Sequence, residues 1–166
     1  MTGSAARLSL RPFLPADAPV LAALFRAAIA GLTGEDYDEE QQDAWAMAAD
    51  DEDAFGARLQ ALLTLVAVQG GAPVGFAALE DNRHIEFLYV HPDAAGTGVA
   101  RALCDALEAL ARSRGTKALT VDASDTALGF FQKRGYVPQR RNMVTRGDTW
   151  LGNTAMEKKL AEGTRQ

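Results

Sequence analysis

Two groups of residues between positions 84 and 103 have the types and spacing for chemistry. His84 and Glu86 stand two apart in the apolar run HIEFLYV, residues 84–90. On a β-strand that spacing sends both side chains to one face. Histidine, with a reference pKa of about 6.5, is matched to proton transfer at neutral pH. Glutamate, at about 4.3 unperturbed, serves through a water or with its pKa raised by burial. Either can accept a proton from a reacting group. The run breaks at His91 and Pro92, and a loop holding Gly96 and Gly98 leads into helix-like sequence. Such a turn aims several backbone N–H groups and the positive end of a helix dipole at one point. That is an anion site suited to a pyrophosphate.

Two common phosphate loops are excluded by spacing. A dinucleotide fingerprint needs a third small residue three places after its second glycine, and Arg101 holds that place. A P-loop ends in Gly-Lys-Ser/Thr, a triplet absent here. Both absences count against a nucleotide-binding protein.

The elements that must position these residues follow from hydrophobic period. The pattern predicts the order β-α-α-β-β-β-α-β-α-β-β, with a further short helix over 53–61. A first strand covers about 7–11. Asp17 is placed to cap a helix from Ala18, with Val20, Leu21, Leu24, Phe25 and Ile29 at helical spacing, ending near Gly31. A second helix spans 38–50. Strands at 63–69 and 73–80 flank Gly70-Gly71 as a hairpin, and 84–90 is their neighbour. The main helix runs over 98–114 and buries Val99, Leu103, Leu107 and Leu110. A strand at 117–122, a helix at 125–133 and strands at 136–145 and 150–160 complete the chain.

Composition sets the outer limits. At 166 residues the chain reads as one compact domain, 1–166. No apolar run nears the roughly 18 residues of a membrane span; the longest, 61–68, is interrupted by Thr64. Met1–Arg7 lacks the pattern of a signal peptide. One cysteine excludes an internal disulfide and fits a cytoplasmic setting. A net charge of −5 argues against nucleic acid and mildly favours cationic substrates such as amines. The acids Glu35, Asp36, Asp38, Glu39 and Glu40 either attract a cation or form a solvated helix start. Cys104 reads as core packing and His91 as a turn residue.

The loop from Ala95 to Ala100 resembles that of the GNAT N-acetyltransferases, which bind acetyl-coenzyme A through Gln/Arg-x-x-Gly-x-Gly/Ala. Ala95 departs from the family's Gln or Arg. ALGFFQKRGYV, residues 127–137, is similar to the family's Ala-x-x-Phe-Tyr-x-Lys-x-Gly-Phe segment, and LSLRPFLPAD, residues 8–17, to its opening strand and turn. The tail, residues 140–158, resembles a YafP-like bacterial subgroup. The resemblance spans nearly the whole chain.

It implies an α/β (α+β) fold, a mixed, mostly antiparallel sheet of about seven strands splayed between the fourth and fifth, with flanking helices. It implies direct acetyl transfer from acetyl-CoA to an amine of an unidentified small molecule, without a metal, nucleic acid or membrane, and allows a homodimer through the last strands. Glu86 and His84 become the candidate bases. Glu86 in an apolar strand must be paired, solvated or functional, an Arg ion pair being the alternative role. Leu88, Tyr89 and Val90 would hold pantetheine, and Ala95, Gly96, Thr97, Gly98, Val99 and Ala100 the pyrophosphate, with Ser124 and Phe131 also at the cofactor. Tyr37 and Trp45 are the candidate substrate-recognition aromatics, with core packing the alternative role for Trp45. Phe131 stands where many members carry the tyrosine that protonates the departing thiolate; Tyr136, Tyr89 or a water are substitutes. These departures keep a non-catalytic acyl-CoA-binding or regulatory module as the alternative.

Overall fold

The computed structural model describes residues 7–161, so the signal-peptide expectation at the N-terminus lies largely outside them. The elements are β1 Ser9–Pro12, α1 Ala18–Leu32, α2 Glu39–Ala46, α3 Glu52–Ala61, β2 Leu63–Gln69, β3 Ala72–Glu80 and β4 His84–Val90. They continue with α4 Val99–Ser113, β5 Ala118–Ser124, α5 Leu128–Lys133, β6 Val137–Arg146 and β7 Thr149–Lys159. The order expected from the sequence holds, including the short helix after residue 50.

The strands form one seven-stranded sheet in the order β1-β2-β3-β4-β5-β7-β6. β4 and β5 run parallel, because α4 carries the chain back across the sheet between them, whereas the other neighbours are antiparallel. The two faces bury separate clusters. Leu103, Cys104, Leu107 and Ala111 recur along α4 at helical spacing and pack with Ala77, Leu79, Ile85, Leu119, Phe131 and Met156. On the other face Leu21, Phe25 and Ile29 of α1 pack with Phe55, Leu59, Val66 and Phe76. β3 supplies both clusters, which explains its unbroken apolar run.

Three local expectations are corrected. Asp17 does not cap α1 with its side chain. Its carboxylate instead takes both Arg11 guanidinium nitrogens, at 2.8 and 2.9 Å, and the Leu14 N–H. The helix foreseen over 38–50 ends at Ala46, and a 3-10 turn covers Met47–Ala49. The helix foreseen from Asp125 starts at Leu128, since Ser124 takes the Ala127 N–H on both its carbonyl and hydroxyl oxygens and turns the chain first.

Pro15–Leu32 is longer and more apolar than the unbroken runs suggest. It is 18 residues of mean hydropathy 1.3, enough by length and composition to cross a bilayer. It folds as a core helix, with Leu21, Phe25 and Ile29 each 1% exposed or less.

Candidate active site

The sheet opens where β4 and β5 part. They share only the register pairs His84↔Thr120 and Ile85↔Val121. Beyond these, one side of β4 has no strand beside it among the described residues. His91 N–H donates to Val74 O, which fixes the parity of the β3–β4 ladder. Residues 87, 89 and 91 therefore pair with β3, and the N–H and C=O groups of Leu88 and Val90 face the gap. A cavity of about 750 Å³ fills this opening. That is within the size range of small-molecule sites.

The glycine loop forms one end. Gly96 and Gly98 adopt φ of +77° and +95°. A Cβ added at either would meet nothing within 4 Å, so backbone conformation rather than crowding calls for glycine. α4 starts immediately after, and its first described bond runs from Ala102 N–H to Gly98 O. The N–H groups of Val99, Ala100 and Arg101 have no preceding helical carbonyl to meet. Leu88, Tyr89, Val90, Ala95, Gly96, Gly98, Val99 and Ala100 all line the cavity, as the loop expectation requires. Thr97 does not, because its hydroxyl turns back to donate to Ala94 O at 2.6 Å. Sequence reasoning missed Arg101, which also lines the wall. Its signal was a cation in the first turn of a helix, where the dipole disfavours one.

His84 and Glu86 lie below the divergence. The i, i+2 argument brings them together, but the strand between is not regular. Leu79 pairs with Ile85 and Ala78 with Phe87, leaving Glu86 unpaired in a β-bulge. The bulge explains why Ile85 joins the α4 cluster while Phe87, two residues on, packs with α1. His84 Nε2 lies 3.7 Å from both Glu86 Oε1 and Asp122 Oδ2, and its Nδ1 is 2.7 Å from Thr120 Oγ1. Glu86 Oε2 is also 3.3 Å from Arg58 of α3, which at the same time pairs with Glu80. The Arg ion pair raised as an alternative for Glu86 is thus present, alongside His84. Asp122 is a second carboxylate that sequence reasoning passed over.

The aromatic residues divide by what their polar atoms do. Tyr37 is buried and lines the cavity; its hydroxyl donates to Gly152 O and accepts from Asp125 N–H, at 2.6 and 2.9 Å. Trp45 also lines the cavity and donates its indole N–H to Tyr89 Oη at 3.1 Å. Both expected recognition aromatics therefore offer ring surface, with their hydrogen-bonding groups engaged inside the protein. Burial pushes the Tyr89 phenol up to about 12, so it keeps its proton at neutral pH.

Tyr136 is removed as a substitute acid. It does not line the cavity, and its buried hydroxyl donates to Glu108 at 2.8 Å. Burial and the Glu108 charge push that phenol well above its ordinary range. Phe131 lines the cavity but is 2% exposed and packs edge-on against Tyr136. Ser124 lines the cavity, its hydroxyl oxygen already accepting the Ala127 N–H. The Cys104 thiol is buried and pushed up to about 12, consistent with core packing. In the acidic stretch, Asp38 caps α2 through Gln41 N–H and Asp36 accepts from Thr126.

Residues 33–160 match the family model described as an acetyltransferase (GNAT) domain. The chain is similar to the uncharacterized N-acetyltransferase YafP of Escherichia coli K12, with 32% identity over 152 residues, 92% of this chain and 96% of that protein. Among solved structures, a GCN5-related N-acetyltransferase from Rhodopseudomonas palustris is 55% identical with a TM-score of 0.91, covering 96% of this chain and all of the other. The PaiA N-acetyltransferase of Thermoplasma acidophilum, solved in complex with coenzyme A, shares the fold at 19% identity, a TM-score of 0.74 and coverage of 92% and 99%.

Proposed function

We propose that this chain, which belongs to the GNAT acetyltransferase family and is an N-acetyltransferase using acetyl-CoA, transfers the acetyl group directly to a small-molecule amine in a ternary complex. One observation carries the reading. The glycine loop, the unpaired edge of β4 and the His84–Glu86 pair all open on the same cavity.

In this reading the pyrophosphate lies against the loop and the N-terminal turn of α4, with Arg101 beside it. Pantetheine runs along β4, its amides meeting the backbone groups of Leu88 and Val90 as a short extra strand would. The same backbone donors polarise the acetyl carbonyl. The amine enters from the side of α1 and α2, past Tyr37 and Trp45. Its lone pair attacks the thioester carbon, the C–N bond forms, and the C–S bond breaks with its electron pair leaving on sulfur. One of the pair Glu86 and His84 receives the ammonium proton. A thiol pKa of about 8.5 makes the thiolate a tolerable leaving group without a phenol at Phe131.

The chain acts as one catalytic domain, 1–166, in the cytoplasm, a placement supported by its lone buried thiol. A homodimer through β6, the exposed edge strand of the sheet, completes the reading.

Calorimetric titration with acetyl-CoA, with ATP and NAD as controls, tests the donor site. Saturable one-to-one binding of acetyl-CoA alone is expected. A site that takes ATP or NAD equally well overturns it. An amine panel monitored by thiol release then identifies the acceptor.

A further inference from the structure

Register brings four polar side chains to one face of the opening. His84 is the Cα partner of Thr120 on β5, and Asp122 follows Thr120 as Glu86 follows His84. The His84 ring is held between them, Nδ1 at 2.7 Å from Thr120 Oγ1 and Nε2 at 3.7 Å from each carboxylate. Asp122 is steadied from β6, where Asn142 Nδ2 donates to Oδ1 at 3.3 Å.

The neutral ring carries one proton, and its neighbours favour one position for it. With the proton on Nε2, Thr120 donates to Nδ1, and the Nε2–H faces carboxylates lying beyond hydrogen-bond reach. That arrangement closes one bond within the protein. With the proton on Nδ1, the ring donates to Thr120 Oγ1, and the threonine hydroxyl donates to Arg83 O at 3.4 Å. That arrangement closes one short bond and one long one, and Nε2 of His84, a residue of the cavity wall, keeps its lone pair. Glu86 is less free, since one of its oxygens already meets Arg58.

We propose that Thr120 and Asp122 are positioning residues that present the Nε2 lone pair of His84 to the acceptor amine, so that His84 rather than Glu86 takes its proton. This rests on the acetyl-transfer reading above. As the C–N bond forms and CoA leaves as thiolate, the ammonium proton passes to Nε2. The resulting imidazolium has Nδ1–H on Thr120 and Nε2–H between Glu86 and Asp122. The charged groups around the ring are then Glu86 with Arg58 of α3, Asp122 of β5, Glu80, the register partner of His84 on β3, and Glu157 of β7, the register partner of Thr120.

The sequence has two histidines, so two-bond proton–nitrogen spectra of the imidazoles read the tautomer directly, with His91→Gln to assign the signals. At a pH where the ring is neutral, the expected result is a proton on Nδ1. A proton on Nε2 in the unmodified protein overturns the proposal. This readout needs no turnover. The acetyl-transfer reading fails separately, if the protein neither binds acetyl-CoA nor acetylates any amine.

In kinetics, Thr120→Val is expected to lower kcat about tenfold with the KM for acetyl-CoA nearly unchanged, and Thr120→Ser to restore it. Asp122→Asn is expected to lower kcat and move the acid limb of the kcat/KM profile to lower pH. His84→Gln is expected to lose on the order of a hundredfold, the scale of general base catalysis. Near-normal turnover by His84→Gln, or a pH profile unmoved by Asp122→Asn, overturns the proposal.

Discussion

At the scale of single residues, the site is defined by which polar atoms are already committed. Glu86 has polar neighbours on both sides, the His84 ring at 3.7 Å and the Arg58 guanidinium at 3.3 Å, and its side chain is about a third exposed. Glu86→Gln keeps the shape but removes the charge that holds an ammonium or imidazolium. Turnover is expected to fall by less than in His84→Gln, with acetyl-CoA affinity kept; unchanged turnover by thiol release would remove Glu86 from the mechanism. Tyr136 makes the opposite case. Its hydroxyl serves Glu108 and not the cavity. Tyr136→Phe is expected to cost about 1 kcal/mol in urea denaturation while kcat stays unchanged. A large fall in kcat would return Tyr136 to the list of acids.

Elements place these residues by their ends and irregularities. The loop before α4 depends on two left-handed glycines, and Gly98 precedes the helix directly. Gly98→Val puts a β-branched side chain at φ +95°, a strain of about 1–2 kcal/mol. The loop relieves it by abandoning the N–H arrangement. A roughly tenfold weaker calorimetric affinity for acetyl-CoA is expected, with the circular dichroism spectrum preserved. Undiminished affinity would place the pyrophosphate elsewhere. The presence of glycines at 96 and 98 was legible in the sequence because positive φ is a local demand. The bulge at Glu86 was not, because a bulge exists only relative to the register of β3. Tyr37 is similar: its hydroxyl joins Gly152 and Asp125, partners 115 and 88 residues away, which no local pattern announces.

The whole molecule adds a charged network beneath the sheet. Glu108 is 5% exposed and meets Lys158 at 2.9 Å, Arg134 at 3.1 Å and the Tyr136 hydroxyl. Burial alone would push its carboxyl up. Hydrogen bonds from Lys158, Tyr136 and Arg134 outweigh that and hold it below the ordinary glutamate range. A depressed folded-state pKa gives stability that is present above the unfolded value, about 4.3, and is lost as pH falls through the folded value. Urea midpoints measured from pH 7 downward should therefore decline from about pH 5, and Glu108→Gln should flatten that decline. At pH 7 the same substitution takes the carboxylate partner from Lys158, while Arg134 keeps Asp105, and it is expected to cost about 3 kcal/mol. Equal acid sensitivity in both proteins would exclude Glu108 as the source.

The sequence by itself determined what depends on near neighbours: the element order, the hairpin at Gly70–Gly71, the buried stripe of α4 apart from the half-buried Leu110, and the glycine loop before that helix. Each follows from side-chain period or backbone conformation within a few residues. The tertiary structure decided what those elements do together. It parted β4 from β5 after two pairs, brought Arg58 of α3 to Glu86, set Thr120 and Asp122 around His84, and took Tyr136 away from the cavity. These are contacts between segments distant in the chain. Their partners are selected by which faces collapse together and which buried polar atoms must be satisfied, and neither condition is written in the local pattern.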